Sequence, residues 1–145
     1  MIYEFRKDSL FISTDKRKLN IGAIHAFLSQ AYWSEGVAIE RVRKSISNSL
    51  CFGVYLKGEQ AGFARVVTDY TNIGYLADVF VIEKFRGMGI SKLLMKSIVN
   101  HPDLKNLKAW LLATRDAHGL YKKFGFEQLK EPERYMKRMK NPKHL

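Results

Sequence analysis

The run Val79-Phe80-Val81-Ile82-Glu83-Lys84-Phe85-Arg86-Gly87-Met88-Gly89-Ile90-Ser91 admits few local structures. Its first four residues are β-branched or aromatic, which suits a buried strand. Two glycines one residue apart then let the backbone turn. After them Ile90, Leu93, Leu94, Ile98 and His101 recur at helical spacing, and Pro102 stops the pattern. A strand that passes through glycines into a helix leaves N–H groups without partners at the helix's positive end. Such an end binds phosphate or pyrophosphate. The segment therefore predicts an α/β arrangement that holds a phosphorylated ligand at this turn.

The flanking sequence supplies a sheet for it. Phe5 to Ser13 reads as a first strand or hairpin edge. Asn20 is an N-cap residue, Leu19 and Ile24 have the spacing of a hydrophobic staple, and Ile21, Ile24, His25 and Leu28 line one helical face. A second helix is expected over Val37–Ser47. The period then becomes that of strands: Leu50–Leu56, a turn at Lys57-Gly58-Glu59-Gln60, and a partner over Ala61–Thr68. Tyr75–Ile82 and Ala109–Thr114 flank the central helix, Gly89–His101, and together predict a right-handed βαβ crossover. A short helix over Ala117–Phe124 ends at Gly125, and Phe126–Leu129 and Arg134–Met139 read as two last edge strands. The fold class expected is α/β of the α+β type. Its sheet is mixed and mostly antiparallel, with six to seven strands and helices on both faces, in one domain spanning residues 1–145.

With 145 residues and 46% hydrophobic residues the chain can bury one substantial core. No apolar run reaches the roughly 20 residues of a membrane span. The first residues lack the layout of a signal peptide, and Cys51 is the only cysteine. A cytoplasmic setting is expected. Cys51 sits in an apolar run, as a small core residue does. The net charge of +11 attracts anions, with a denser basic tail at Arg134, Lys137, Arg138, Lys140 and Lys143. It lacks an arginine-rich block or an aromatic RNA-binding signature, so nucleic acid is not the expected partner. A homodimer is favoured only by the frequency of two-fold symmetry.

The turn itself excludes two nucleotide loops. Gly-Lys-Ser/Thr after four spacers is absent, and Lys92 stands where a dinucleotide fingerprint needs its third glycine. Arg86-Gly87-Met88-Gly89-Ile90-Ser91 instead resembles the Arg/Gln-x-x-Gly-x-Gly/Ala loop of the GNAT N-acetyltransferases. Val81-Ile82-Glu83-Lys84-Phe85-Arg86-Gly87 is similar to that family's Val-x-Pro-Glu-Tyr-Arg-Gly run. Leu93-Leu94 matches its leucine pair, and Leu120-Tyr121-Lys122-Lys123-Phe124-Gly125-Phe126 its Leu/Phe-Tyr-x-Lys-x-Gly-Phe segment. The departures are Ser91 for glycine or alanine, and Thr114 where many members have asparagine.

The resemblance implies transfer of acetyl from acetyl-CoA, without a metal, to a primary amine of a small molecule or peptide by direct attack. A non-catalytic acyl-CoA-binding or sensing domain on the same fold is the alternative. It further implies that the backbone of Val79, Phe80 and Val81 holds the pantetheine arm. The N–H groups of Arg86, Gly87, Met88, Gly89, Ile90 and Ser91 would take the pyrophosphate, and Thr114 would stand at the position of the cofactor-contacting asparagine. Tyr121 is implied as general acid. Asp78, an acid inside an apolar strand, is either a base or ammonium ligand, or a structural partner of Arg65 or Arg115. His118 is a second candidate base. Arg115-Asp116 reads as an ion pair. Tyr32 and Trp33 either line an acceptor pocket or plug the core. The acceptor loops are expected at Gln30–Val37 and Asp69–Gly74.

Overall fold

The structure, a computed structural model, describes residues 1–140; Lys143 lies outside them. Strands β1 (Glu4–Lys7) and β2 (Leu10–Ser13) form a hairpin, followed by helices α1 (Ile21–Leu28) and α2 (Ile39–Ser47). Strands β3 (Leu50–Leu56), β4 (Glu59–Thr68) and β5 (Ile73–Val81) lead to α3 (Ile90–Val99), β6 (Ala109–Leu111) and α4 (His118–Lys122). The six strands lie side by side in chain order. Every neighbouring pair is antiparallel except β5 with β6, which is parallel. That pair is the crossover expected from the sequence, with α3 as its connection.

The period of two along β3 sorts the core into two layers. Phe52, Val54 and Leu56 meet Ile90, Leu93, Leu94 and Ile98 of α3 on one face. Cys51, on the other face, joins Ile24 and Leu28 of α1 and Val42 and Ile46 of α2. Each helix thus buries one stripe against its own side of the sheet. Asn20 caps α1, its side-chain oxygen accepting from the Ala23 N–H at 3.0 Å. Helix α2 begins at Ile39 rather than Val37. The Val37 carbonyl accepts instead from the His25 ring at 2.9 Å, which ties α1 to the entry of α2. His25 is therefore a bracing residue. Cys51 is buried beneath α2, and burial pushes its thiol up to about 11. It is a core residue and not a nucleophile.

The expected strands at Phe126–Leu129 and Arg134–Met139 do not form. Pro132 removes a ladder donor and opens a single 3-10 turn, Pro132–Arg134. Beyond it Met136 is 98% exposed, so the alternating pattern there covers no core. Strand β6 also ends three residues earlier than expected, at Leu111. Its parallel register with β5 covers only Ile73–Tyr75, leaving the rest of β5 without a strand on that side.

Candidate active site

Because the β5–β6 pairing ends so early, the two strands splay. Between them opens a cavity of about 530 Å³. One wall is Leu76–Val79 of β5, the other is Leu112–Thr114 after β6, and Tyr32 and Trp33 lie across the front. Tyr121 of α4 reaches in from behind.

Strand β5 carries a bulge on this wall. Phe80 opposes Phe63 and Ala77 opposes Arg65, so Ala64 alone faces Asp78 and Val79. Asp78 is the bulged residue, in the left-handed region at φ 53°. Non-glycine residues avoid that region, and aspartate is among those that tolerate it best. Two neighbours fix it there. Trp33 Nε1–H donates to Asp78 Oδ1 at 2.9 Å, and Arg65 Nε–H donates to Oδ2 at 2.9 Å. Arg65 also donates to Ser49 Oγ at 3.1 Å. The side chains of Arg65 and Asp78 are only 18% and 13% exposed. This ion pair is shielded enough to matter, and the partner of Asp78 is Arg65, not Arg115.

Arg115 and Asp116 form no ion pair with each other among the described residues. The Arg115 guanidinium lies 3.8 Å above the Tyr32 ring, and its backbone N–H donates to the Tyr32 hydroxyl at 3.1 Å. Adjacent aromatics therefore grip opposite walls, Trp33 the β5 bulge and Tyr32 the elbow after β6. They line the cavity and are 47% and 44% exposed, so they do not plug the core. The loop Asp69–Gly74 does not line the cavity. Three backbone N–H groups, those of Thr71, Asn72 and Ile73, bond the Asp69 carboxylate, closing that turn on itself at the paired end of β5 and holding the carboxyl well below the usual range.

Tyr121 is 9% exposed and packs its ring edge-on against Phe126 at 5.9 Å. Burial, and then the nearby Tyr32 and Asp116, raise its phenol above the ordinary value. The group stays protonated at neutral pH and is a hydrogen-bond donor. Thr114 turns the chain into α4, its hydroxyl oxygen accepting from the Ala117 N–H at 3.0 Å. His118 lines a neighbouring groove with Phe126–Leu129 and Pro132; that groove shares Leu112–Thr114 and Tyr121 with the cavity, but Trp33 and Asp78 do not line it.

The glycine turn lies beyond the bulge. A 3-10 turn, Glu83–Phe85, follows β5, and Arg86 Nε–H returns to the Val81 carbonyl at 3.3 Å. Gly87 and Gly89 are left-handed at φ 84° and 75°. The first bond of α3 runs from Leu93 N–H to the Gly89 carbonyl, so the N–H groups of Ile90, Ser91 and Lys92 have no partner within the helix. A Cβ built on Gly87 or Gly89 meets no atom within 4 Å. Orphan N–H groups at a helix N-terminus, with no side chain on either glycine of the turn, suit a pyrophosphate. Among the described residues no group of three or more His, Cys, Asp or Glu side chains could hold a metal ion.

Arg41 and Lys137 also line the cavity. No sequence signal singles out Arg41, because an isolated exposed cation is an ordinary surface residue, and Lys137 stands out only as one member of the basic C-terminal tail, in the segment expected as a strand.

The comparisons agree with this geometry. The family model for "Acetyltransferase (GNAT) family" matches residues 13–126. A candidate GNAT acetyltransferase from Xanthomonas campestris pv. campestris shares 44% identity and superposes with a TM-score of 0.89, over 92% of this chain and 95% of its own. A candidate acetyltransferase of Gibberella zeae is 27% identical over 144 residues, 83% of this chain and 80% of that one. A candidate acetyltransferase from Clostridium acetobutylicum, solved with acetyl-CoA, shares the fold at 14% identity and a TM-score of 0.63, over 96% of each chain. The fold and cleft define an acetyl-transfer enzyme. The chain belongs to the GNAT acetyltransferase family and is by class an N-acetyltransferase. The family uses acetyl-CoA as acetyl donor, and the glycine turn described above fits its pyrophosphate.

Proposed function

We propose that the 145-residue chain acts as one domain that acetylates a primary amine of a small molecule or peptide by direct attack, with Tyr121 as the acid. The observation that carries this reading is that Tyr121 and the β5 bulge line one cavity. Acetyl-CoA, when bound, supplies the activated thioester. The N–H groups of Ile90–Lys92 bind the pyrophosphate, and the strandless edge of Val79–Val81 takes the pantetheine arm as an added strand would. The bulge turns a backbone N–H out of the ladder, where it polarises the thioester carbonyl. The amine nitrogen forms the N–C bond and the C–S bond breaks, its electron pair leaving on sulfur. The Tyr121 hydroxyl gives its proton to that sulfur, the amine's proton passes to solvent, and the phenolate takes a proton back from solvent. Asp78 acts through geometry: with both oxygens engaged it holds the bulge and the Trp33 loop in place.

The test is thiol release from acetyl-CoA with a panel of primary amines, for the wild type and for Tyr121→Phe, beside calorimetry of acetyl-CoA binding. Turnover that drops about 10²-fold in the variant at unchanged affinity supports the reading. Acetyl-CoA binding without turnover on any amine by either form would leave a binding domain instead.

A further inference from the structure

We infer that the acceptor of this transferase carries an anionic group as well as its amine, a carboxylate in the first instance, so that a free α-amino acid fits and its amide does not. The inference rests on the acetyl-transfer reading above and names the acceptor of the same site.

The charges of the cavity carry it. Five ionised side chains line the walls: Arg41, Arg65, Asp78, Asp116 and Lys137. Arg65 and Asp78 neutralise each other at 2.9 Å. The other three have no ion pair or hydrogen bond among the described residues. Asp116 lines the same cavity as Tyr121, and its charge is one of those that raise the phenol. Arg41, projecting from α2 next to the buried Val42, and Lys137 of the C-terminal segment are cations without a counterion. Arg41, Asp116 and Lys137 are solvent-exposed, so a neutral amine gains nothing from the two cations, whereas an anion on the acceptor gains a charge-assisted contact with them. An amine that carries an anion satisfies all three, its ammonium on Asp116 and its anion on Arg41 and Lys137. The nitrogen end then shares the cavity wall with Tyr121, where the ammonium gives a proton to solvent and the neutral amine takes the acetyl group. Tyr32, Trp33 and Tyr75 supply aromatic surface, each more than a third exposed, against which an apolar side chain can lie.

A phosphate or phosphonate would satisfy Arg41 and Lys137 as well as a carboxylate, so the experiment includes both. Thiol release from acetyl-CoA is measured with the standard L-amino acids, with their amides, and with O-phosphoethanolamine and 2-aminoethylphosphonate, alongside calorimetry of acetyl-CoA binding. The expected result is that at least one free acid exceeds its amide about tenfold or more in kcat/KM. In the Arg41→Ala/Lys137→Ala double variant that ratio is expected to collapse about tenfold, through KM, with the acetyl-CoA Kd unchanged. Asp116→Asn is expected to raise KM for the same acid. Turnover confined to the phosphorylated amines, with the same loss in the double variant, would keep the anionic acceptor and replace the carboxylate. Amides that match or exceed their acids throughout, or no turnover of any anionic amine while acetyl-CoA binds, would overturn the inference and leave the transferase reading standing. Failure of acetyl-CoA to bind would overturn that reading and the inference with it.

Discussion

At Asp78 one carboxylate answers two structural demands. Its backbone occupies a left-handed conformation that most side chains resist, and its two oxygens accept from Trp33 and Arg65. Asp78→Ala leaves the Arg65 guanidinium shielded and unpaired and is expected to cost about 3 kcal/mol in denaturant unfolding. Asp78→Asn keeps the tolerance for positive φ and one acceptor, so it is expected to cost less. If Asp78 were the proton acceptor for the amine, the Asn variant would lose nearly all kcat while keeping its stability, which separates the two roles. His101 gives a pH prediction. Its ring is 1% exposed, lies between Tyr3 and Phe52, and accepts from the Asp103 N–H through Nδ1. Burial lowers its affinity for a proton, opposed by the Asp103 charge and aided by the N-terminal amine. Because the folded pKa lies below the unfolded one, this stability is complete above the unfolded value of about 6.5. It is lost as pH falls from there through the folded value. Thermal unfolding of the wild type is expected to weaken on acidification below neutrality, and His101→Gln to flatten that dependence. An equal slope in both would remove His101 as the cause.

At the scale of elements, the turn from β5 into α3 places two left-handed glycines immediately ahead of a helix that is largely buried. Gly89→Ala is expected to cost roughly 1–2 kcal/mol from backbone strain. A methyl at the mouth of the anion seat is also expected to weaken acetyl-CoA binding by calorimetry about tenfold or more. An unchanged Kd would place the pyrophosphate elsewhere. This turn was legible in the sequence because its signals are local: strand-forming residues, two glycines, then helical spacing. Strands β3 and β4 were legible for the same reason, since alternation and a glycine turn decide them. The C-terminal segment misled because Arg134–Met139 alternates like a strand while Pro132 and the absence of a covering layer decide against one. Nothing local marks where β5 and β6 part, because splaying depends on how the crossover sits on the sheet. Site residues fell along the same line. The glycine turn and the Tyr121 segment are contiguous motifs. The clasp made by Trp33, Arg65 and Asp78 joins three distant stretches, and the unpaired state of Arg41, Asp116 and Lys137 exists only in the folded molecule.

On the scale of the molecule, helices bury both faces of the sheet and leave its parting strands as the opening for chemistry. The crossover carries the glycine turn, the proposed pyrophosphate seat, at the start of α3, and α4 brings a buried phenol to the cleft. The net charge of +11 draws a polyanionic donor toward this cleft. Acetyl-CoA affinity is therefore expected to fall several-fold as ionic strength rises from about 0.05 to 0.5 M, the range over which screening shortens below ~10 Å. A flat salt response would assign the charge to solvation alone. The most direct test of the central claim is a crystal structure with acetyl-CoA bound. Pyrophosphate oxygens are expected on the N–H groups of the Gly87–Lys92 turn, the pantetheine arm along Val79–Val81, and the thioester sulfur within hydrogen-bonding reach of the Tyr121 hydroxyl. A donor seated in the groove beside His118, or a sulfur facing away from Tyr121, would contradict it.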